Sequence, residues 1–140
     1  MFTLDNYKVI HTNKFQDIKK HTFTVENTPI KKESKFFLKD LLDLNSMEIS
    51  LSIFKPNEEM PFFHKHKKNE EVYVIIKGKA QFIIDEEIID LKEGSIIKIK
   101  PDGARYYKNS SDSEELIIMV IQAKENSLDT KTIEDGYIVN

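Results

Sequence analysis

Short apolar runs separated by turn residues fill the chain from Met47 onward. Seven runs of strand length, each rich in Ile, Val, Phe or Tyr, follow one another: Glu48–Phe54, Glu71–Lys77, Lys79–Ile84, Glu87–Leu91, Ser95–Lys100, Arg105–Asn109 and Glu114–Ala123. β-Branched and aromatic side chains suit a half-buried pleated surface. Short strands punctuated by turn signals every 8 to 12 residues or so predict a sandwich or barrel rather than a bundle. Gly78 sits between two runs and accepts positive φ, while Asp85-Glu86, Glu93-Gly94 and Asp102-Gly103 mark further reversals, so successive hairpins are expected. The fold class that follows is all-β, a single antiparallel β-barrel or jelly roll over residues 46–125.

The first 45 residues lack this rhythm. Phe2 to Ile30 is polar and weakly periodic, with one strand candidate at Tyr7–Ile10 and a short helical candidate at Lys14–Lys20. Phe36, Phe37 and Leu38, with Leu41, Leu42 and Leu44, read as core or subunit contact rather than a cofactor pocket. An exposed sheet edge must be covered. Residues 1–45 are therefore expected to pack on the barrel as an extension and to pair with a sheet, their own or that of a second copy, which makes a homodimer the expected state. Residues 126–140 are expected to pack around the barrel as a C-terminal segment. With 140 residues, no internal repeat and no Gly/Ser linker, one domain is the reading.

Charge narrows the partners. The 21 basic against 24 acidic side chains leave a net charge of -3, too balanced for the whole surface to attract nucleic acid or an anionic membrane. No apolar run approaches the roughly 18 residues of a membrane span, and no basic-then-apolar leader opens the chain, so a cytoplasmic location is expected. The absence of cysteine removes disulfides, thiolate metal sites and Cys nucleophiles, leaving imidazole and carboxylate to hold any metal. Glycine-rich phosphate loops and Gly-x-Ser-x-Gly elbows are missing too.

Chemistry concentrates at His64, His66 and Glu71. In an extended segment, side chains at i and i+2 share a face, and a carboxylate five residues on can return to the two imidazoles across a turn. Two His and one carboxylate leave positions around a divalent ion for water or ligand. Against this stands a solvated basic loop, because Lys65, Lys67 and Lys68 alternate with the histidines. Glu71 opens an almost wholly apolar strand, Glu-Val-Tyr-Val-Ile-Ile, and a carboxylate entering a β core needs a partner. His11 and His21 have no carboxylate at a useful spacing and are expected in solvent. Tyr106-Tyr107 between Arg105 and Lys108 could pass for a stacking platform for single strands, but strand alternation sends these residues to opposite faces.

His64-Lys65-His66, four residues, Glu71, six residues and Gly78 resemble the first motif of the cupins, small β-barrels that hold a metal in their mouth. The glycine that opens that motif is replaced by Glu58. After fifteen residues, Gly94 begins a degenerate second motif, with Pro101-Asp102-Gly103 displaced by one residue and no histidine after it. The place of that histidine falls on Arg105 by two counts and on Tyr106 by a third. Arginine cannot ligate a metal, but it can pair with Glu71 or hold an anion in a fork of hydrogen bonds, with Tyr107 and Asn109 on its face; an ordinary surface Arg is the alternative. The resemblance, which covers about Glu48 to Gln122, implies His64, His66 and Glu71 as ligands of one divalent zinc, nickel, iron or manganese, with Arg105, Tyr107 and Tyr73 contacting a small-molecule ligand. It leaves three functions open: a metal-dependent enzyme such as an isomerase, epimerase, decarboxylase or dioxygenase, a module that binds ligand without turnover, or a barrel whose metal site has decayed and which serves assembly.

Overall fold

A computed structural model describes residues 6–140. Ten strands succeed one another: β1 (Thr22–Thr24), β2 (Lys31–Glu33), β3 (Lys35–Phe37), β4 (Glu48–Phe54), β5 (Asn69–Lys77), β6 (Lys79–Ile84), β7 (Glu87–Lys92), β8 (Ile96–Ile99), β9 (Arg105–Asn109) and β10 (Leu116–Lys124). A 3₁₀ helix over Phe15–Lys20 and two single-turn helices, α1 (Lys39–Leu42) and α2 (Thr132–Asp135), complete the elements. The seven strands expected from the sequence are all present, shifted at their ends by two residues at most. The helical expectation for Lys14–Lys20 is met by the 3₁₀ helix, whereas Tyr7–Ile10 forms no strand: Tyr7 and Val9 are exposed and have no paired neighbour.

The architecture is an antiparallel jelly roll. A five-stranded sheet in the order β3-β4-β10-β5-β8 faces a three-stranded sheet in the order β7-β6-β9, and β1 pairs with β2 beside them. The expected string of hairpins is corrected here. Among the seven strands expected from the sequence, only β6 and β7, joined at Asp85 and Glu86 with φ of 48° and 75°, pair as a hairpin of sequence neighbours. Gly78 instead carries the chain from β5 in one sheet to β6 in the other. Its φ is 92°, and a Cβ there would meet the Glu115 carbonyl oxygen at 2.5 Å, so the corner requires glycine twice over.

Period-two alternation fills the space between the sheets. Phe54, Tyr73, Ile75, Ala80, Phe82, Tyr107, Leu116, Ile118 and Val120 pack there into one cluster. Phe82 stacks on Tyr107 with ring centroids 4.8 Å apart, and Tyr73 meets both rings edge-on. The opposite faces of β4 and β10 supply Leu51, Ile53 and Ile117, which bury Ile18 of the 3₁₀ helix and Phe36 of β3 in a second cluster. Residues 18–37 of the N-terminal extension are thus held to the barrel through Ile18 and β3, with Lys35, Phe36 and Phe37 paired to Ser52, Leu51 and Ser50. The C-terminal expectation is corrected. Leu128, Ile133, Tyr137, Ile138 and Val139 are all more than three-quarters exposed, so 128–140 does not pack around the barrel. No helix among the described residues is long and apolar enough to cross a membrane.

Candidate functional site

The segment 58–66 runs antiparallel to β9 as an irregular strand. Met60 N–H donates to the Tyr107 carbonyl, His64 exchanges backbone hydrogen bonds with Arg105 at 3.0 Å each way, and His66 N–H reaches the Pro101 carbonyl. This pairing turns the alternate side chains His64 and His66 inward and leaves Phe63, Lys65 and Lys67 outside, with Lys65 bonded to Asp102 at 3.1 Å. The solvated-loop reading therefore describes the lysines and not the histidines. Glu71, at the start of β5 and 3% exposed, faces the same space.

Ligand atoms of His64, His66 and Glu71 all lie within 4.8 Å of one another. The two carboxylate oxygens are used differently. Oε1 accepts from Arg105 Nη1 at 2.5 Å and from the Tyr73 hydroxyl at 2.7 Å. Oε2 turns to His66 Nε2 at 3.2 Å, without the alignment of a hydrogen bond. His64 Nδ1 and His66 Nε2 are buried with no hydrogen-bond partner, which is costly for a polar atom unless something completes it. Burial, the largest cause, pushes the His64 imidazole down to about 4; Glu71 opposes this, and the charges of Arg105, His66 and Lys35 add to it. At neutral pH that ring is neutral and offers a lone pair.

Position 105, not 106, occupies the place of the missing histidine. Arg105 is fully buried, and besides Glu71 it donates to the carbonyl oxygens of Gly103 (3.0 Å), Lys100 (2.6 Å) and Pro101 (3.3 Å). Tyr106 points outward, stacks on Phe63 and donates to Glu59. The surface-Arg alternative is excluded. The expectation that Arg105 grips an anionic ligand finds no geometry here, because the guanidinium is spent on internal acceptors behind Glu71 and lies outside the cavity wall. Asn109 shares its face and is likewise internal, donating to the carbonyls of Phe54, Lys55 and Glu114.

The cluster opens onto a cavity of about 370 Å³ between the sheets. Tyr73 and Tyr107 line it, both buried, with burial the main cause that raises the pKa of each hydroxyl. Sequence reasoning missed the remaining wall. Phe23, Lys35 and Phe37 come from the N-terminal extension, and Met60, Pro61 and Phe62 from the segment leading to His64. Phe37 is thus a pocket residue, which corrects its assignment to core or subunit contact; Phe36 is core as expected. The available signal was the alternation in Lys35-Phe36-Phe37, which puts the first and third side chains on one face once the triplet is read as a strand. His11 and His21 are exposed, as expected, although one face of His21 stacks on Phe36 at 4.8 Å.

Comparison with known proteins agrees with this geometry. A cupin protein from Bacteroides fragilis superposes with a TM-score of 0.77 at 28% identity, covering 98% of this chain and 100% of its own. An uncharacterized conserved protein with a double-stranded β-helix domain from Klebsiella pneumoniae gives 0.57 at 21% identity, over 79% of this chain and 89% of its own, a likeness of fold alone. No curated protein matches the chain. The family model described as "Cupin domain" matches residues 50–122, the stretch that carries β5 to β9, most of β4 and β10, the His64–His66–Glu71 cluster and the Arg105 substitution. With the barrel, the convergent cluster and the family match in agreement, the chain belongs to the cupins.

Proposed function

We propose that the protein holds one divalent metal ion at His64, His66 and Glu71 and acts on a small organic molecule in the adjoining cavity. One observation carries this reading: three ligand atoms within 4.8 Å of one another on the wall of a 370 Å³ cavity. The residues fit such an ion. Two buried imidazole nitrogens lack partners, and Glu71 turns Oε2 toward His66 while Arg105 and Tyr73 hold Oε1. Zinc, nickel, iron or manganese suits imidazole and carboxylate. When bound, the ion supplies Lewis-acid polarisation of a ligand oxygen.

The chain's own residues do the rest. The neutral His64 ring offers its lone pair without losing a proton, and the pair of donors on Oε1 fixes the carboxylate plane. Phe23, Phe37, Met60 and Phe62 furnish an apolar wall that excludes water from the reacting molecule. Three protein ligands with remaining positions suit an isomerase, epimerase or dioxygenase. A second reading draws on the Arg105–Glu71 pair, in which the guanidinium already neutralises the carboxylate and the barrel serves ligand binding or assembly without metal. Elemental analysis of protein purified without chelator or nickel resin decides between them. About one ion per chain supports the first reading; a value near zero, unchanged by soaking in metals, discards it.

The same proposal includes a homodimer. The outer strands β7 and β8 end their sheets with Ile88 and Ile96 two-thirds exposed, which supports a second copy covering one of these edges. Light scattering that shows a monomer across concentrations removes the dimer alone.

A further inference from the structure

Among the described residues, one cation in the cavity wall has no counter-ion. Lys35 and Phe37 of β3 face the cavity while Phe36 turns into the outer cluster. The Lys35 ammonium lies 5.1 Å from the Phe37 ring centroid and 5.8 Å from that of Phe23. Nearby lysines are paired: Lys32 Nζ stands 3.3 Å from Glu58, and Lys55 Nζ 3.7 Å from Glu33. Among the described residues no carboxylate comes within the 4.0 Å of an ion pair with Lys35. The acids of the same wall are committed elsewhere, Glu58 to Lys32, Glu59 to the Tyr106 hydroxyl, and Glu71 to Arg105 and Tyr73.

A half-buried ammonium without a partner is unfavourable, and aromatic faces compensate only in part. Burial pushes Lys35 down to about 8, against the upward pull of Glu71 and with a further lowering from Lys32. The position is therefore primed to gain from any negative charge brought into the cavity.

We propose that Lys35 is the counter-charge for an anionic ligand, so that the cavity selects small carboxylates whose acid group sits on the Lys35 ammonium between Phe23 and Phe37. A single unpartnered ammonium balances one negative charge, which favours a monocarboxylate over a phosphate. The apolar rings beside it favour an organic body over a bare anion. This inference rests on the reading of the cavity as a small-molecule site, and it assigns the choice of ligand to the N-terminal extension rather than to the barrel.

The test is calorimetric titration of the full chain with phenylacetate and with phenylacetamide, its neutral counterpart, in chelated and in zinc-soaked protein. Wild type is expected to prefer the acid by about tenfold to a hundredfold, the range of one charge-assisted hydrogen bond, in both preparations. Lys35→Met, which keeps the apolar stem, should bind both probes equally; Lys35→Arg should restore most of the preference. Circular dichroism confirms that each variant folds, and the comparison of acid with amide in wild type stands without either. Equal affinity for the two probes in chelated wild type overturns the inference, as does a preference retained in Lys35→Met or no binding of either probe at millimolar concentration. A chain that binds no metal but keeps the Lys35-dependent preference discards the metal reading alone. Full metal occupancy without that preference discards this inference alone.

Discussion

Replacing Arg105 with methionine removes the one positive charge in contact with Glu71. The guanidinium is fully buried and bonded to four acceptors: Glu71 Oε1 at 2.5 Å and the carbonyls of Gly103, Lys100 and Pro101 at 3.0, 2.6 and 3.3 Å. Glu71 is itself 3% exposed, so the change strands a carboxylate away from water with only the Tyr73 hydroxyl as donor. Breaking one side of a buried pair costs about 3–5 kcal/mol. That is a large part of a stability of roughly 5–15 kcal/mol, and it lowers the melting temperature of a domain this size by about 10–20 °C. Thermal and urea unfolding of metal-free Arg105→Met should show this loss. Glu71→Gln/Arg105→Met should recover most of it, because the stranded charge is gone. Zinc should stabilise Arg105→Met more than wild type, since a cation beside Glu71 takes over the missing charge. A loss under about 1 kcal/mol, or a double variant no more stable than the single one, refutes the reasoning.

Tyr73→Phe deletes a 2.7 Å hydrogen bond to the same oxygen and should cost about 1.5–3 kcal/mol by urea unfolding, with Arg105 still in place; an unchanged midpoint would show the hydroxyl to be idle. Gly78→Ala should destabilise by more than the roughly 1–2 kcal/mol of a left-handed alanine, because its Cβ also meets the Glu115 carbonyl oxygen at 2.5 Å; a stability equal to wild type would mean that the corner relaxes freely. His64 is held down to about 4 in the folded chain against about 6.5 when unfolded, so the unfolded state binds the extra proton between these values. Stability of the metal-free protein should therefore be intact above about pH 6.5 and fall as pH drops toward 4, and His64→Gln should flatten that dependence; identical pH profiles for the two proteins would contradict the assignment.

What the sequence disclosed follows from how strands bury residues. Glu48–Phe54 and Leu116–Lys124 were legible because strongly apolar stretches of nine residues or fewer mark central strands, and both sit inside the five-stranded sheet. The inward turn of His64 and His66 was legible as alternation, and Glu71 as a carboxylate at the mouth of an apolar strand. Partner choice was not. Nothing in the sequence around Gly78 distinguishes a hairpin from a passage between sheets, because φ alone is common to both. The extension was least legible. Thr22–Thr24, Lys31–Glu33 and Lys35–Phe37 are too short to display a period; the first two pair with each other, and the third is ordered by contact with β4 and Ile18, residues distant from it in the chain. Arg105 was open between holding Glu71 and holding a ligand, since spacing alone does not reveal that Lys100, Pro101 and Gly103 turn their carbonyls toward it.

The triplet Lys35-Phe36-Phe37 touches two compartments at once, and three residue pairs with β4 define its register. A slip of one residue along β4 exchanges every side chain between the two faces. Phe36 would then enter the cavity, while Lys35 and Phe37 would move to the outer cluster. A single-residue insertion or deletion between positions 38 and 47 that is taken up by the register of β3 rather than by the loop would convert a charged wall into an aromatic one, with His64, His66 and Glu71 untouched. Among relatives, a change of ligand can accordingly arise from the length of a connecting loop while every residue of the barrel stays the same.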